Sequence, residues 1–412
     1  MPTAEQKVVA YVKKNILFFA AFLFVIISLI IRMSGMNYES SDYNQFLKPW
    51  FYQIKSEGGF SSLKHAVGDY NVPYMFILTV LTYLPVKPLV SIKFVSIIFD
   101  YGCALATTAI VFHLLGKVKS AIFPSLVAFG IVLFLPTVLL NSAFWCQSDS
   151  IYTVFVLLCI LYLIKENYIL AFVFFSIALT FKLQAVFIFP LLVILYLVKN
   201  KFSILHFLII PAVFIVSISP ALIAGRPFID TIKIYGNQVG EYPSLFVNYC
   251  GFYALFKGEY NDFMIFSILL TVAILGIMTF AIIYKKYDVS KSNIISLGIW
   301  IIYICIFFLP SMHERYGFII DILSVIYFAV KSKKIYIPIV INLTSLISYC
   351  EFLFGRPILN DSYLALANLI VIVILTFDVL TDLKCDTQQK DLVQSVVVSE
   401  ISCTDDKEKC KI

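Results

Sequence analysis

The chain has 412 residues, 61% apolar and 14% charged, with a net charge of +6 from 31 Lys and Arg against 25 Asp and Glu and a mean hydropathy of +0.93. Ordinary soluble domains are about 45–50% apolar and about 25% charged, which excludes a soluble enzyme. The cations sit in short clusters between apolar runs, a pattern that reports membrane insertion rather than nucleic-acid binding. A hydrocarbon core of about 30 Å takes about 20 residues per helix, and open strands cannot cross lipid. The expected fold class is therefore all-α, a polytopic membrane helix bundle.

In chain order, Lys7, Lys13 and Lys14 precede a first apolar run at 15–31, which the positive-inside rule orients with the N-terminus in the cytoplasm. That run is long for a signal peptide and lacks a small-residue cleavage site after it, so it is taken as a retained span. The segment 33–73 is then an outer loop. Phe46, Leu47, Trp50, Phe51 and Ile54 recur there at helical spacing, which predicts an amphipathic helix in the outer interface. The apolar piece 74–84, between Pro73 and Pro85, is too short to cross and reads as re-entrant.

Further spans are predicted at 95–116, 122–140, 149–164, 168–181, 184–198, 204–223, 263–284, 293–309, 317–331, 335–350 and 362–380. That makes twelve, or thirteen with 74–84, and puts both termini in the cytoplasm. Lys117/Lys119, Lys165, Lys199/Lys201, Lys285/Lys286/Lys291 and Lys331/Lys333/Lys334 mark the cytoplasmic turns. The outer turns carry WCQSD, FKLQ, the stretch 225–262, PSMHER and FGRPILND. The helices flanking FKLQ reach only about 21 Å at 1.5 Å per residue, which predicts Lys182 below the outer surface and inside a protein cavity. The transmembrane domain is expected over 1–380, with 381–412 a polar, mobile cytoplasmic tail.

Chemistry can reside at four of these places. The loops 33–73 and 225–262 exceed the usual length of an unstructured connection, and long loops carry function. In the first, Asp42 is either a free carboxylate or, with Ser41, the cap of the amphipathic helix; Asp69-Tyr70-Asn71 is a second polar run or a turn. In 310–316, His313, Glu314 and Arg315 stand together at the end of a span, where charges are costly and mark a substrate path. Trp145, Gln147 and Asp149 suit a sugar, the ring face on Trp145 and the amide and carboxylate on hydroxyls, although Asn141 and Asp149 can equally cap helices. Lys182, with Gln184, needs an anionic partner, either a bound phosphate or Asp100 or Asp149 across the bundle.

SDYNQFLKPW, GDYNVPY, WCQSDSIY, FKLQAVF and LPSMHERYGF, in that order between about 15 and 380, resemble the multi-spanning GT-C type glycosyltransferases. The likeness is greatest to bacterial proteins similar to GPI mannosyltransferase II and to the Alg-type glucosyltransferases of lipid-linked oligosaccharide assembly. The resemblance implies a GT-C fold, a polyprenyl-phosphate sugar as donor and a glycan or glycolipid as acceptor. It also implies an outward-facing site in a bacterial plasma membrane. By resemblance Asp42 takes the place of the loop acid and His313 that of the histidine in the later HE(R/K) motif. The common WGQ is WCQ here, with Cys146 for glycine.

A sugar phosphate already carries a good leaving group, so transfer needs one carboxylate to take the acceptor proton and cations for the departing phosphate. On this reading Asp42 is the general base of an inverting hexosyl transfer and His313 its catalytic partner, with Arg315 and Lys182 holding the donor phosphate. Asp69, Tyr70, Trp145, Gln147, Asp149, Gln184 and Glu314 orient the substrates. No cofactor is expected. Asp42, Glu39 and Asp69 are the carboxylates that could ligate Mg²⁺ or Mn²⁺, but lysine or arginine can do that electrostatic work. Membrane lipids surround the protein, no nucleic-acid partner is expected, and the default is a monomer. The competing readings are a flippase for a lipid-linked glycan, which would place charge near the midplane, an O-antigen-type polymerase or ligase, and an assembly subunit.

Overall fold

The computed structural model describes residues 3–331 and 334–409. In chain order the helices are α1 (Ala4–Lys14), α2 (Ile16–Gly35), α3 (Lys48–Ser56), α4 (Val72–Thr82), α5 (Pro88–Leu114), α6 (Lys119–Phe134), α7 (Pro136–Leu139), α8 (Asp149–Ile164) and α9 (Tyr168–Phe181). They continue as α10 (Phe189–Lys199), α11 (Ile209–Ile223), α12 (Phe228–Gly240), α13 (Tyr260–Tyr284), α14 (Lys291–Phe308), α15 (Phe318–Lys331), α16 (Tyr336–Phe354) and α17 (Asp361–Lys409). The only sheet among the described residues is a two-residue parallel pair, β1 (Phe246–Val247) against β2 (Met312–His313). The chain is an all-α, multi-pass membrane bundle.

Each of the twelve expected spans coincides with helix, but not every one is long enough to cross. Among the described residues seven helices have the length and apolarity: Ile16–Gly35, Pro88–Leu114, Ile204–Ile223, Tyr260–Tyr284, Lys291–Phe308, Tyr336–Phe354 and Asp361–Gln388. An eighth crossing arises if Lys119–Phe134 and Pro136–Phe144, bent by 49° at Leu135, count as one. Of the expected twelve to thirteen crossings, seven or eight meet the length and apolarity of a full span among the described residues. α8, with 16 residues, and α9, with 14, reach only about 24 and 21 Å at 1.5 Å per residue. α4 begins at Asn71, which bonds Tyr235, and ends at Tyr83, which stacks on Phe60. It therefore starts against the stretch 225–262 and finishes against the segment 33–73.

A helix apolar on every side belongs inside a bundle, and α14 is that helix: all of Asn293 to Phe307 is buried. α15 continues the core with Phe318 to Tyr327 buried, while α13 turns Leu269, Ile277 and Phe280 outward as lipid-facing surface. Helix after helix, one end carries lysine and the other a polar motif. α8 runs from Asp149 to Lys165, α9 runs from just after Lys165 to FKLQ, α10 ends at Lys199, α14 starts at Lys291, and α15 runs from PSMHER to Lys331.

The expected tail is not loose at its start. α17 continues through 381–409, and its first polar turns dock by Asp382 to Lys331 (2.9 Å) and Asp386 to Asn293 (2.6 Å); residues 410–412 and Lys333 lie outside the described residues. The first loop is held by buried charge. Lys93, fully buried on α5, donates to the carbonyls of Gly35 (2.8 Å) and Tyr38 (2.6 Å), closing the free end of α2. Arg32 on α2 meets Asp100 on α5 at 3.0 Å, and Ser142 donates to the same Asp100 oxygen. α2, α5 and the turn before Trp145 are thereby tied together.

Candidate functional site

Two π-helical turns, Tyr43–Leu47 and Leu140–Phe144, adjoin the residues that matter, a placement common at functional sites. The first begins just after Asp42. The cap role expected of Ser41 or Asp42 belongs to Ser40, whose Oγ accepts from the Tyr43 N–H (3.1 Å) and donates to the Trp145 carbonyl (2.6 Å). This leaves the Asp42 carboxylate free to turn toward the second π turn. There it accepts from Trp145 Nε1 (2.9 Å) and Gln147 Nε2. Leu47, Phe51 and Ile54 bury the predicted amphipathic face and fix the loop.

The loop 309–317 is suspended between two largely buried helices, α14 and α15, so its side chains stand on rigid supports. It also pairs with the second long loop through Phe246 opposite Met312 and Val247 opposite His313. Ser311 Oγ bonds the carbonyls of Tyr242 and Ser244 at 2.8 and 2.9 Å. The stretch 225–262 is thus not an irregular loop. It contains α12 and β1 and is stitched onto the PSMHER motif.

These segments enclose one cavity of about 640 Å³. Of the expected site residues, Asp42, Asp69, Tyr70, Gln147, Lys182, Gln184, His313, Glu314 and Arg315 all line it. Gln147 is the hub: its amide nitrogen donates to Asp42, while its carbonyl oxygen accepts from Arg315 (3.1 Å) and Tyr70 (3.2 Å). An acid and a guanidinium far apart in sequence thereby face one space.

Two expected contacts are corrected. Trp145 offers no platform for a sugar, because it is fully buried behind the cavity, stacked on Phe352 (4.7 Å) and edge-on to Tyr349 (5.0 Å). Asp149 does not line the cavity either. One of its oxygens pairs with Lys182 and the other accepts from Asn141 (2.8 Å). Lys182 lies at the cavity wall as its short helix predicts, but its charge is matched by Asp149, with the Tyr70 and Tyr152 rings 5.6 and 5.8 Å away.

Electrostatics divide the triplet. Burial, then Arg315 and Lys182, push His313 down to about 3, so its imidazole is neutral near pH 7 and offers a hydrogen bond rather than a charge. Burial lifts Glu314 to about 7. Both Glu314 oxygens are buried and make no well-formed hydrogen bond; the Asn248 side chain lies close by, and Arg315 Nε is 4.0 Å away. Arg315 is then the cation of the cavity whose charge is not consumed by a close carboxylate. Among the described residues no three metal-ligating side chains come together.

The residues that sequence reasoning missed come from backbone geometry and from the second loop. Cys146, Asn248 and Ser311 hold positive φ (69°, 62° and 61°), a strained state for a residue with a Cβ. Cys146, at the position where the resemblance implied glycine, holds a backbone conformation that glycine adopts more readily. Trp50, Gln238, Glu241 and Tyr242 also line the cavity. The helical spacing around Trp50 marked the helix but not which side chain would face the hollow. No protein-family model matches the chain, and no curated protein matches it.

Proposed function

We propose that the chain is a membrane glycosyltransferase of GT-C type that transfers a hexose from a polyprenyl-phosphate donor to a hydroxyl of a glycan or glycolipid acceptor. The observation that carries this reading is the shared cavity of Asp42 and Arg315, with Gln147 bonded to both. The Asp42 carboxylate, oriented by two N–H donors, takes the proton of the acceptor hydroxyl as that oxygen bonds to the sugar C1. The C1–O bond to phosphate breaks on the opposite face, which inverts the anomeric centre. Polyprenyl phosphate departs with the bonding electrons, its growing charge met by Arg315 and by a hydrogen bond from neutral His313.

One flank of the cavity is apolar, with Val186 and Phe187 on one side and Met264 and Ile268 of α13 on the other. Val186 and Ile268 are also exposed on the lipid-facing surface, which suits an isoprenoid chain reaching the site sideways from the bilayer. The lysine-bearing helix ends read as cytoplasmic, so the cavity faces outward and the donor must be flipped before use. The polar groups of the cavity come from loops and helix ends rather than from paired half-helices, which favours an enzyme over a flippase.

The test is transfer of radiolabelled sugar from polyprenyl phosphate in membranes containing the chain, against Asp42→Asn and Arg315→Met. Transfer that survives Asp42→Asn at near-normal rate would remove the base assignment. Movement of lipid-linked glycan across vesicles without any transfer would establish the flippase instead.

A further inference from the structure

The sequence holds three tryptophans. Trp145 and Trp300 are buried, whereas Trp50 lines the cavity beside Asp69 and Glu241. Gly68, at φ +69°, packs its backbone so closely on the indole that a Cβ would lie 2.3 Å from Trp50 Cε2. Phe46 and Tyr70 flank the same ring at 5.8 Å each. The indole is therefore clamped in place, and among the described residues its Nε1–H has no protein acceptor.

Across the hollow the second loop brings Gln238, which donates to the Asp69 carbonyl, and Glu241, whose carboxyl neighbours that of Asp69. We infer that Trp50, Asp69, Gln238 and Glu241 form a saccharide subsite that holds the acceptor by its ring hydroxyls. This deepens the transferase reading and rests on it.

The chemistry favours a neutral sugar over the other ligands of an acidic pair. Burial raises both carboxyls above their ordinary range; the contact between them raises Glu241 further and acts downward on Asp69, which puts the shared proton on Glu241. Two carboxyls in hydrogen-bond contact share a proton, so the pair offers a donor beside acceptors, as a vicinal diol requires, and carries less charge for a metal ion or an ammonium group. A clamped aromatic ring beside amide and carboxyl groups supplies the apolar contact of a sugar's C–H face. A second observation lies in the same cavity: Glu314 is 1% exposed, and with only Asn248 close by neither of its oxygens makes a well-formed hydrogen bond. A buried polar group without a partner is costly, and a hydroxylated ligand would satisfy it.

The test uses the full chain in lipid nanodiscs and reads tryptophan emission, with Trp50→Phe identifying the signal. Methyl α-mannoside, methyl α-glucoside, maltose and mannobiose are titrated, with ethanolamine and MgCl₂ as controls. The expected result is a saturable change with at least one glycoside, absent in Trp50→Phe. Asp69→Asn and Glu241→Gln should each weaken it about tenfold, the scale of one hydrogen bond to a charged group. A change untouched by both carboxyl variants, a response to ethanolamine or MgCl₂ alone, or no glycoside response in a chain of unaltered melting temperature overturns the subsite. Transfer that depends on Asp42 but not on Asp69 or Glu241 would remove the subsite and leave the transferase standing. Glycoside binding without any transfer would do the reverse.

Discussion

Asp42 and Arg315 are joined through one amide: Gln147 gives its N–H to the carboxylate and takes a hydrogen bond from the guanidinium at 3.1 Å. A carboxamide is the side chain that can do both at once, since it carries donor and acceptor on one rigid plane. It keeps the acid and the cation from collapsing into a direct ion pair that would neutralise both.

The acid is the first test. Asp42→Asn keeps an acceptor for Trp145 but has no base, so sugar transfer should fall by about 10²–10⁴ while the melting temperature stays close to that of the parent. Gln147→Glu should cost transfer as well, because a second carboxylate cannot donate to Asp42 and would draw Arg315 away from substrate. Radiolabel transfer beside a melting curve separates these effects from unfolding.

Lys182 and Asp149 are buried partners, so removing one strands the other. Lys182→Met alone should destabilise by about 3–5 kcal/mol, and Lys182→Met with Asp149→Leu should recover most of that loss. If the double variant also recovers transfer, Lys182 serves the scaffold; if stability returns without transfer, its ammonium serves the donor phosphate.

His313 and Glu314 predict opposite pH trends. The His313 value is depressed from 6.5 to about 3, so its contribution to stability is present above pH 6.5 and is lost as pH falls toward 3. The Glu314 value is raised from 4.5 to about 7, so its contribution is present below pH 4.5 and is lost as pH rises through 7. Melting temperature against pH should therefore flatten on the acid side in His313→Gln, and between pH 4.5 and 7 in Glu314→Gln. Unchanged profiles in both variants would contradict the burial of this loop.

Cys146 sits at φ 69° and is fully buried. Cys146→Gly should be nearly neutral, since relief of about 1–2 kcal/mol of backbone strain offsets the lost packing. Cys146→Val should destabilise by about 1–3 kcal/mol, because a β-branched residue fits that conformation poorly. Melting of the two variants checks the sign of each.

Much of this arrangement was legible before the coordinates. The clustering of lysines and the apolar runs gave the helices and their order, and the short helices around FKLQ put Lys182 beneath the surface. The lengths of the individual helices were less legible, because composition marks an apolar run but not where it breaks or bends, as at Leu135. Trp145 misled because a tryptophan beside polar residues has the same sequence signature whether its ring meets ligand or Phe352.

Hydropathy acts on each segment independently, so the linear order of residues by itself determined that this is a helical, membrane-embedded chain with polar motifs at helix ends. Which of those motifs meet depends on packing between segments hundreds of residues apart, and only the tertiary structure decided it. It turned Asp149 inward to Lys182, left Arg315 facing the hollow, and brought Glu241 of the second loop to Asp69 of the first. The reason is physical: a buried charge must find its partner in space, and no local pattern names which partner lies within reach.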